Sequence, residues 1–463
     1  MHHLINFKNF ADAQIDLRRP VTLLIGRNGA GKSNVIEGVE LLAQLAQGRS
    51  VHQISDVGRG SGSTFEIRGG LKSCVRRDHA TYDQLDALLG EQAFSLGFEV
   101  HGTKRHVSYK VTVETSLKSR IAHEALQWGD RMVFETVTDV SGDNPEILSV
   151  RYDNFARGGK KPIRQFTADC SVLSRYESLP VSDNAAANEV AKAVRSIRGH
   201  LQRSYVFDPN PKLMRDYENI GQSELFRDGS NLASVLYGLE QTARVVEKTG
   251  GEKSAVQVVP NAQQARETLN RISERLRHLP EDAFIGFEFE ETRLGEVGLG
   301  FRYSKESVLS SRQMSDGTLR ALAILTALET VPQQSRLVIE EIDNGIHPAR
   351  VKVLMDAVWE AATRRKLNVL ATTHNPATLD QLDHAQIQSV VLCFHDSAIG
   401  ASRLLPIPEL PAAESMLEQG RLGELMTQQV LERHVQPGFA EKRAERGLAW
   451  LKKIQQSQVK APT

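Results

Sequence analysis

Cysteine is scarce: three in 463 residues, Cys74, Cys170 and Cys393, far apart and without Cys-x-x-Cys or Cys/His spacing. This argues against a disulfide framework and a zinc ribbon, and predicts buried or free thiols of a reducing compartment. No apolar run approaches the ~18 residues that a membrane-spanning helix needs, so no membrane partner is expected. The first residues lack a basic region followed by an apolar stretch and a cleavage site, which makes a cytoplasmic location the default. An excess of either charge is missing too. Lys+Arg and Asp+Glu stand at 57 each, leaving only local patches to attract nucleic acid. What remains is ordinary globular material, 25% charged and 40% hydrophobic, long enough for two to four structural units.

The chain opens as strand, strand, loop, helix. Leu4–Phe7 and Gln14–Leu17 alternate like half-buried strands, and Val21–Ile25 is a continuous apolar run suited to a central strand. From Ser33 onward Val35, Ile36, Val39, Leu42 and Leu45 recur at helical spacing. Between about 63 and 175, segments such as Phe94–Val100, Val107–Val113 and Met132–Val140 alternate between Gly, Asp and Asn turns, predicting antiparallel β structure. Residues 185–280 turn helical. Leu269, Ile272, Leu276 and Leu279 keep a 3-4-3 pattern for only about two heptads, too short for a coiled-coil arm. Strands return over Phe284–Tyr303, Arg336–Ile339, Leu367–Thr372, Ser389–Cys393 and Ser402–Leu405, with helices over Thr318–Val331 and Ala349–Arg364. Five units are expected: the N-terminal half of a core (residues 1–62), a β subdomain (63–180), a helical lobe (181–283), the C-terminal half of the core (284–405) and a helical tail (406–463). Gly250–Ser254 reads as the most flexible loop.

Four short stretches carry chemistry. Gly26-Arg27-Asn28-Gly29-Ala30-Gly31-Lys32-Ser33-Asn34 is a phosphate-binding loop in the right context, since a strand enters and a helix leaves. Its glycines let backbone N–H groups turn toward a β-phosphate. Lys32 would bridge the β- and γ-phosphates of ATP, and Ser33 would offer a hydroxyl to Mg²⁺. Leu337-Val338-Ile339 runs into Glu340-Glu341, placing carboxylates at a core strand's end, where metal and attacking water sit. Glu340 is the candidate for the metal and Glu341 the candidate base. Ser315-Asp316-Gly317 opens the helix bearing Leu319, Leu322, Leu325 and Leu328. A plain N-cap accounts for it, and so does a second anion site for a γ-phosphate held by a neighbouring subunit. His374, in Thr372-Thr373-His374-Asn375-Pro376, leaves a core strand where it could hydrogen-bond the γ-phosphate.

These residues together resemble the ABC-type ATPases of the SMC/RecF/OLD group, and more narrowly the soluble bacterial AAA family ATPases of the AAA_21/AAA_15 type. The likeness also draws on Phe7-Lys8-Asn9-Phe10, Asp228–Ala233, Met314–Arg320 and Glu340–Pro348, and covers the chain to about residue 405. It implies an α/β P-loop NTPase, an ABC-ATPase head with an antiparallel β subdomain and a compact helical lobe but no long coiled coil. It also implies ATP and Mg²⁺ as ligands. By resemblance Gly26–Asn34 act as Walker A, Ser315, Asp316 and Gly317 as the signature that meets ATP in trans, and Glu340 and Ser33 as metal-side residues. Glu341 takes catalysis, Asn344 to His347 the subunit contact and His374 the switch. Met314 replaces the usual Leu and Ile342 the common Pro, and Gln165 and Cys170 compete for the Q-loop position.

The resemblance implies a homodimer or higher homo-oligomer that closes around two ATP, serving as sensor or clamp in anti-phage defence or nucleic-acid repair. OLD relatives carry a fused nuclease; fewer than 90 residues follow the switch region here, without an Asp-x-Asp pair. A separate effector, nuclease or toxin, is therefore expected. Arg157–Lys161 and the basic tail 441–460 could touch DNA or RNA, and Leu448, Trp450, Leu451 and Ile454 could form a partner-binding helix. A transporter-type or regulatory ATPase subunit, a small-molecule kinase and a non-catalytic ATP-binding scaffold stay open as alternatives.

Overall fold

A computed structural model describes residues 1–55, 67–76, 92–101, 106–116, 118–137, 144–158, 160–249, 260–279, 284–305, 307–410, 413–418 and 420–435. The glycine loop at 250–254 and the basic tail beyond 441 lie outside the described residues. The strands, in chain order, begin with β1 (His2–Phe7), β2 (Phe10–Ile15) and β3 (Val21–Ile25). Six more follow: β4 (Ala93–His101), β5 (His106–Glu114), β6 (Arg120–Trp128), β7 (Arg131–Thr136), β8 (Ile147–Tyr152) and β9 (Ile163–Thr167). After them come β10 (Ser204–Phe207), β11 (Glu218–Asn219), β12 (Gly286–Glu291), β13 (Glu296–Arg302) and β14 (Val308–Ser310). The last four are β15 (Arg336–Ile339), β16 (Asn368–Thr372), β17 (Val390–Asp396) and β18 (Ala401–Pro406). The longer helices are α1 (Lys32–Gln47), α3 (Ala185–Gln202), α4 (Leu232–Thr249), α5 (Pro260–Arg277), α6 (Asp316–Thr330) and α7 (Pro348–Arg365). Short ones are α2 (Val51–Ser55), α8 (Pro376–Leu379), α9 (His384–Ile387), α10 (Ala413–Leu417), α11 (Leu422–Thr427) and α12 (Val430–His434).

One sheet runs through most of the molecule in the order β10-β15-β16-β3-β17-β18-β2-β1-β4-β5-β6-β7-β8-β9. From β10 to β17 the strands are parallel, and from β1 to β9 they form an antiparallel meander. The β segment is thus joined edge to edge with the parallel core. β1 does the joining, pairing β2 on one side and β4 on the other. A smaller sheet holds β11, β13, β12 and β14.

Alternation along the parallel strands sorts side chains into two cores. Val21, Leu23, Ile25, Leu337, Ile339, Val369 and Ala371 face one core, which also holds α6, α7 and the α4–α5 pair. Leu24, Val338, Leu370 and Cys393 face the other, which holds α1, α3 and the meander. The helical stretch is divided accordingly: α3 packs on α1, while α4 and α5 pack near α6. Helix α6 is buried on every side from Gly317 to Leu328, as expected of a central helix. β10, which periodicity did not single out, is four residues long and borrows its place from parallel pairing with β15. Cys74 and Cys393 are buried and all three cysteines are free.

Two buried acids organise the α1/meander core. Glu124 on β6 is fully buried and accepts from Tyr109 Oη (3.0 Å), Ser171 Oγ (2.7 Å), Val172 N (2.7 Å) and Leu173 N (2.8 Å). Glu40 on α1 accepts from Ser204 Oγ and lies near Arg336, which is 2% exposed and meets His200 Nε2 at 3.2 Å. Burial pushes the Glu40 carboxyl up to about 7, against the pull of Arg336. Its folded pKa lies above its unfolded one, so the folded state holds the proton more tightly. That stability is present below about pH 4.5 and is lost as pH rises through about 7. Glu40→Gln removes this loss. Urea unfolding at pH 5 and pH 8 should show the variant gaining on the parent by on the order of 2 kcal/mol across that interval. A difference independent of pH would contradict it.

Candidate functional site

The phosphate loop leaves β3 at Gly26, whose φ is +141° and whose Cβ, were there one, would lie 2.1 Å from the Cys393 carbonyl oxygen. Only glycine fits there. Gly31, at φ +115°, would drive a Cβ to 2.4 Å from the Asn9 amide nitrogen. Asn9 itself grips the loop: its Nδ2 donates to Ala30 O (2.9 Å) and Ser402 Oγ (2.7 Å), and its Oδ1 accepts from Asn34 Nδ2 (2.8 Å). Ala30 is buried, while Arg27, Asn28 and Gly29 at the apex are exposed. Lys32 and Ser33 begin α1. Lys32 Nζ donates to Gly26 O (2.7 Å) and Arg27 O (3.1 Å), so its ammonium sits inside the loop's curl, where burial lowers its pKa. Glu341 and Cys393 lie close enough to oppose that shift.

β15 delivers the carboxylates. Glu340 follows Ile339, and its carboxyl is raised by burial and then by the neighbouring Asp208. Glu341 adopts φ +45°, a left-handed conformation uncommon outside glycine that marks strain held by its surroundings. Those surroundings are definite: Glu341 N donates to Thr372 Oγ1 (2.9 Å), and Asn344 Nδ2 donates to Glu341 Oε2 (3.1 Å). His374 Nδ1 stands 3.5 Å from Glu341 Oε1, both side chains close to half exposed. The fold therefore brings Lys32, Glu341 and His374 from three neighbouring parallel strands, β3, β15 and β16, to one end of the sheet.

The Ser-Asp-Gly turn has a different set of contacts. Ser315 caps α6, its Oγ accepting from Thr318 N at 3.1 Å. Asp316 pairs with Arg215 Nη2 at 2.6 Å, and the same nitrogen donates to Met314 O at 2.8 Å. Gly317 lies so near the Gly345 carbonyl that a Cβ would fall 2.5 Å from it. The turn and the Asn344–His347 loop are thus packed together, with Ser315, Asp316, Asn344, Gly345 and His347 exposed and Gly317 and Ile346 buried. Asp316, one of the ATP-binding candidates of the sequence, directs its carboxylate to Arg215.

Three further residues, which their motifs did not mark as structural actors, hold these segments together. Arg320 is buried on α6 and donates to Pro209 O (2.8 Å), Glu340 O (3.0 Å) and Glu341 O (3.3 Å). Asp343 Oδ2 accepts from Thr373 Oγ1 (2.7 Å) and from Thr378 Oγ1, tying the carboxylate strand to the histidine segment. Asn9 is the third. Each lies inside or beside a recognisable motif, but its partners are distant in sequence. Gln165 is exposed on edge strand β9, and Cys170 follows it in a turn.

The donor set suits Mg²⁺. Among the described residues no group of three or more His, Cys, Asp or Glu side chains could cage a metal. Mg²⁺ whose shell is completed by substrate phosphates needs few protein donors, and the candidates here are the desolvated Glu340 carboxyl after β15 and the Ser33 hydroxyl at the start of α1. No described helix is long and apolar enough to cross a membrane.

Comparison with known proteins bears on the family. A family model described as "AAA domain, putative AbiEii toxin, Type IV TA system" (AAA_21) matches residues 21–146 and 184–380. The DNA replication and repair protein RecF of Picosynechococcus sp. is 37% identical over 90 residues, 19% of this chain and 22% of that protein. The RecF of Rippkaea orientalis is 31% identical over 107 residues, 23% of this chain and 27% of its own length. The chain thus matches only about a quarter of these curated relatives. Among solved structures, an SMC head bound to the C-terminal winged-helix domain of ScpA is 12% identical with a TM-score of 0.43, covering 87% of this chain and 96% of that one. An SMC head domain from Thermotoga maritima has a TM-score of 0.37 at 12% identity, covering 88% and 97%. The strand order rests on the pairing within this chain and not on these distant likenesses. With the family model matched over most of the chain, the chain belongs to the AAA_21 family.

Proposed function

We propose that this chain hydrolyses ATP to ADP and phosphate at a site that two copies complete together. One observation carries the reading: Lys32, Glu341 and His374 gather at one end of the sheet, while Ser315 and Asp316 stand exposed at the start of α6, packed beside Gly345. In this reading Lys32 holds the β- and γ-phosphates, Glu341 takes a proton from the attacking water, and His374 hydrogen-bonds the γ-phosphate. Ser315 and the N–H groups that open α6 meet the same phosphate from the other copy. Bound Mg²⁺ would neutralise phosphate charge, with Ser33 and Glu340 as its protein-side contacts. Asn344 to His347, next to Gly317, would line the contact between copies.

The setting we infer is nucleic-acid repair or anti-phage defence, with closure on ATP and reopening on hydrolysis signalling to a separate effector. Support comes from the replication and repair role in the RecF relatives' name and from the AAA_21 description, which names a toxin–antitoxin system.

Glu341→Gln should keep ATP binding while turnover falls roughly 100-fold or more, and the chain should accumulate as an ATP-dependent dimer in size-exclusion chromatography. Unchanged turnover would remove Glu341 from the chemistry. Shared sites make a sharper demand. Lys32→Ala and Ser315→Arg chains, each inactive alone, should regain ATPase activity when mixed, because one of the two composite sites then keeps both residues. Absence of rescue would overturn the two-copy reading. With Mg²⁺, the purified chain should leave DNA and RNA intact, and cleavage would place the effector within this polypeptide.

A further inference from the structure

A cleft of about 320 Å³ opens on the flank of the phosphate loop away from the carboxylates, within the size range of small-ligand clefts. Arg27–Ala30 form one wall, Cys393–His395 the second and Glu432 the third. The strand order fixes its meaning. β3 lies between β16 and β17, with β15 beyond β16. Glu340, Glu341 and His374 follow β15 and β16, so the terminal phosphate of a nucleotide held at Lys32 belongs on that flank. The nucleoside must then leave the loop on the β17 side. There β17 pairs Leu392 with Ile25 and carries Cys393, Phe394 and His395 past the end of β3, alongside the loop.

Glu432 supplies the polar feature of this cleft. Its Oε2 is buried and, among the described residues, has no hydrogen-bond partner. A buried carboxylate oxygen without a donor is costly, and one lining a cleft beside a phosphate loop would be satisfied by a ligand that brings an N–H. The helix that carries it is firmly seated. Leu431 is fully buried in the α6/α7 core. In the adjoining α11, Gly423 approaches the chain so closely that a Cβ would lie 2.0 Å from Pro376 O, and its N–H donates to Asp380 Oδ1 at 2.9 Å. The segment following β18 is therefore docked against the element that begins directly after His374-Asn375.

We propose that this cleft is the base subsite of the nucleotide and that Glu432 reads adenine by accepting a hydrogen bond from its 6-amino group. The inference rests on the reading of Gly26–Asn34 as an ATP-phosphate site and adds to it the residue that selects the base. It accommodates a carboxylate near a polyphosphate, because the two anions lie at opposite ends of the ligand.

Competition binding on the full chain tests it, using ATP, GTP, inorganic tripolyphosphate and purine riboside triphosphate, which carries hydrogen in place of the 6-amino group. The parent should prefer ATP over purine riboside triphosphate by roughly 10-fold or more, and over GTP. Glu432→Ala should bring the first ratio close to one while tripolyphosphate affinity stays the same, which also shows that the loop is still folded. Glu432→Gln, nearly isosteric and still an acceptor, should fall between. A parent ratio near one, a ratio unmoved in Glu432→Ala, or a preference for GTP would each overturn the proposal. If tripolyphosphate fails to bind the parent, the phosphate-loop reading fails and the base subsite falls with it. Normal tripolyphosphate binding without base preference removes the subsite alone.

Discussion

The close approach of Gly26 to the Cys393 carbonyl constrains everything at the site. β3 must end where β17 continues, and the chain can turn away only through a conformation at φ +141° with no side chain in the gap. That turn aims the loop's N–H groups inward and starts α1 at Lys32. Asn9 then fixes the other end by bonding Ala30 and Asn34 from the β1–β2 turn. The loop is clamped from β17 on one side and from the N-terminal hairpin on the other. A phosphate cradle of backbone dipoles works only if it does not have to reorganise when the charge arrives, and this clamping provides that rigidity.

The carboxylate end is held differently. Few direct contacts to Glu341 come from its own strand. Its backbone N–H goes to Thr372 on β16, its carboxylate to Asn344, and its carbonyl to Arg320 on α6. Arg320 also holds Glu340 O, so the helix opened by Ser315 is bolted to the strand that presents both acids. A displacement of α6 would therefore be felt at Glu341. Asp343 extends the same network to Thr373 and Thr378 on either side of His374 and Asn375. Glu341, the segment that carries His374 and helix α6 are thereby linked through hydrogen bonds with defined partners. In the proposed two-copy reading, that linkage gives a contact at the start of α6 a physical route to Glu341.

Local structure was legible in the sequence and long-range pairing was not. β3 announced itself as a short run of four apolar residues and one threonine, and all five are buried. α6 was visible from its leucines and from Ser315, which does cap it. Lys32, Glu341 and His374 could be picked out because each sits at a strand end in a recognisable local string. By contrast, periodicity suggested a β segment but gave no hint that β1 pairs with β4 to make one sheet of core and meander. β10 escaped notice because four residues carry too little pattern, and its order comes from β15. Asn9, Arg320 and Asp343 looked like pieces of motifs, yet their work is done with partners 20 to 393 residues away. Pairing of that kind is a property of the assembled sheet, and no window of sequence contains it.

The segment after β18 shows the same limit from the other direction. Read alone, it is a polar, mostly helical tail. In the fold, Gly423 seats against Pro376 and Leu431 enters the core. The tail's last described helix thus reaches the phosphate loop across the end of β17. A docked helix places Glu432 more firmly than a loose extension could, because side-chain position follows from packing. In the proposed reading the two flanks of β3 would divide the labour: Glu340, Glu341 and His374 follow β15 and β16 on one flank, and β17 with the docked segment lines the cleft on the other. A nucleotide held at Lys32 would then meet its terminal-phosphate groups and its base on opposite sides of one strand, and a chain that lost its docked segment would keep the first set of groups while losing one wall of the cleft.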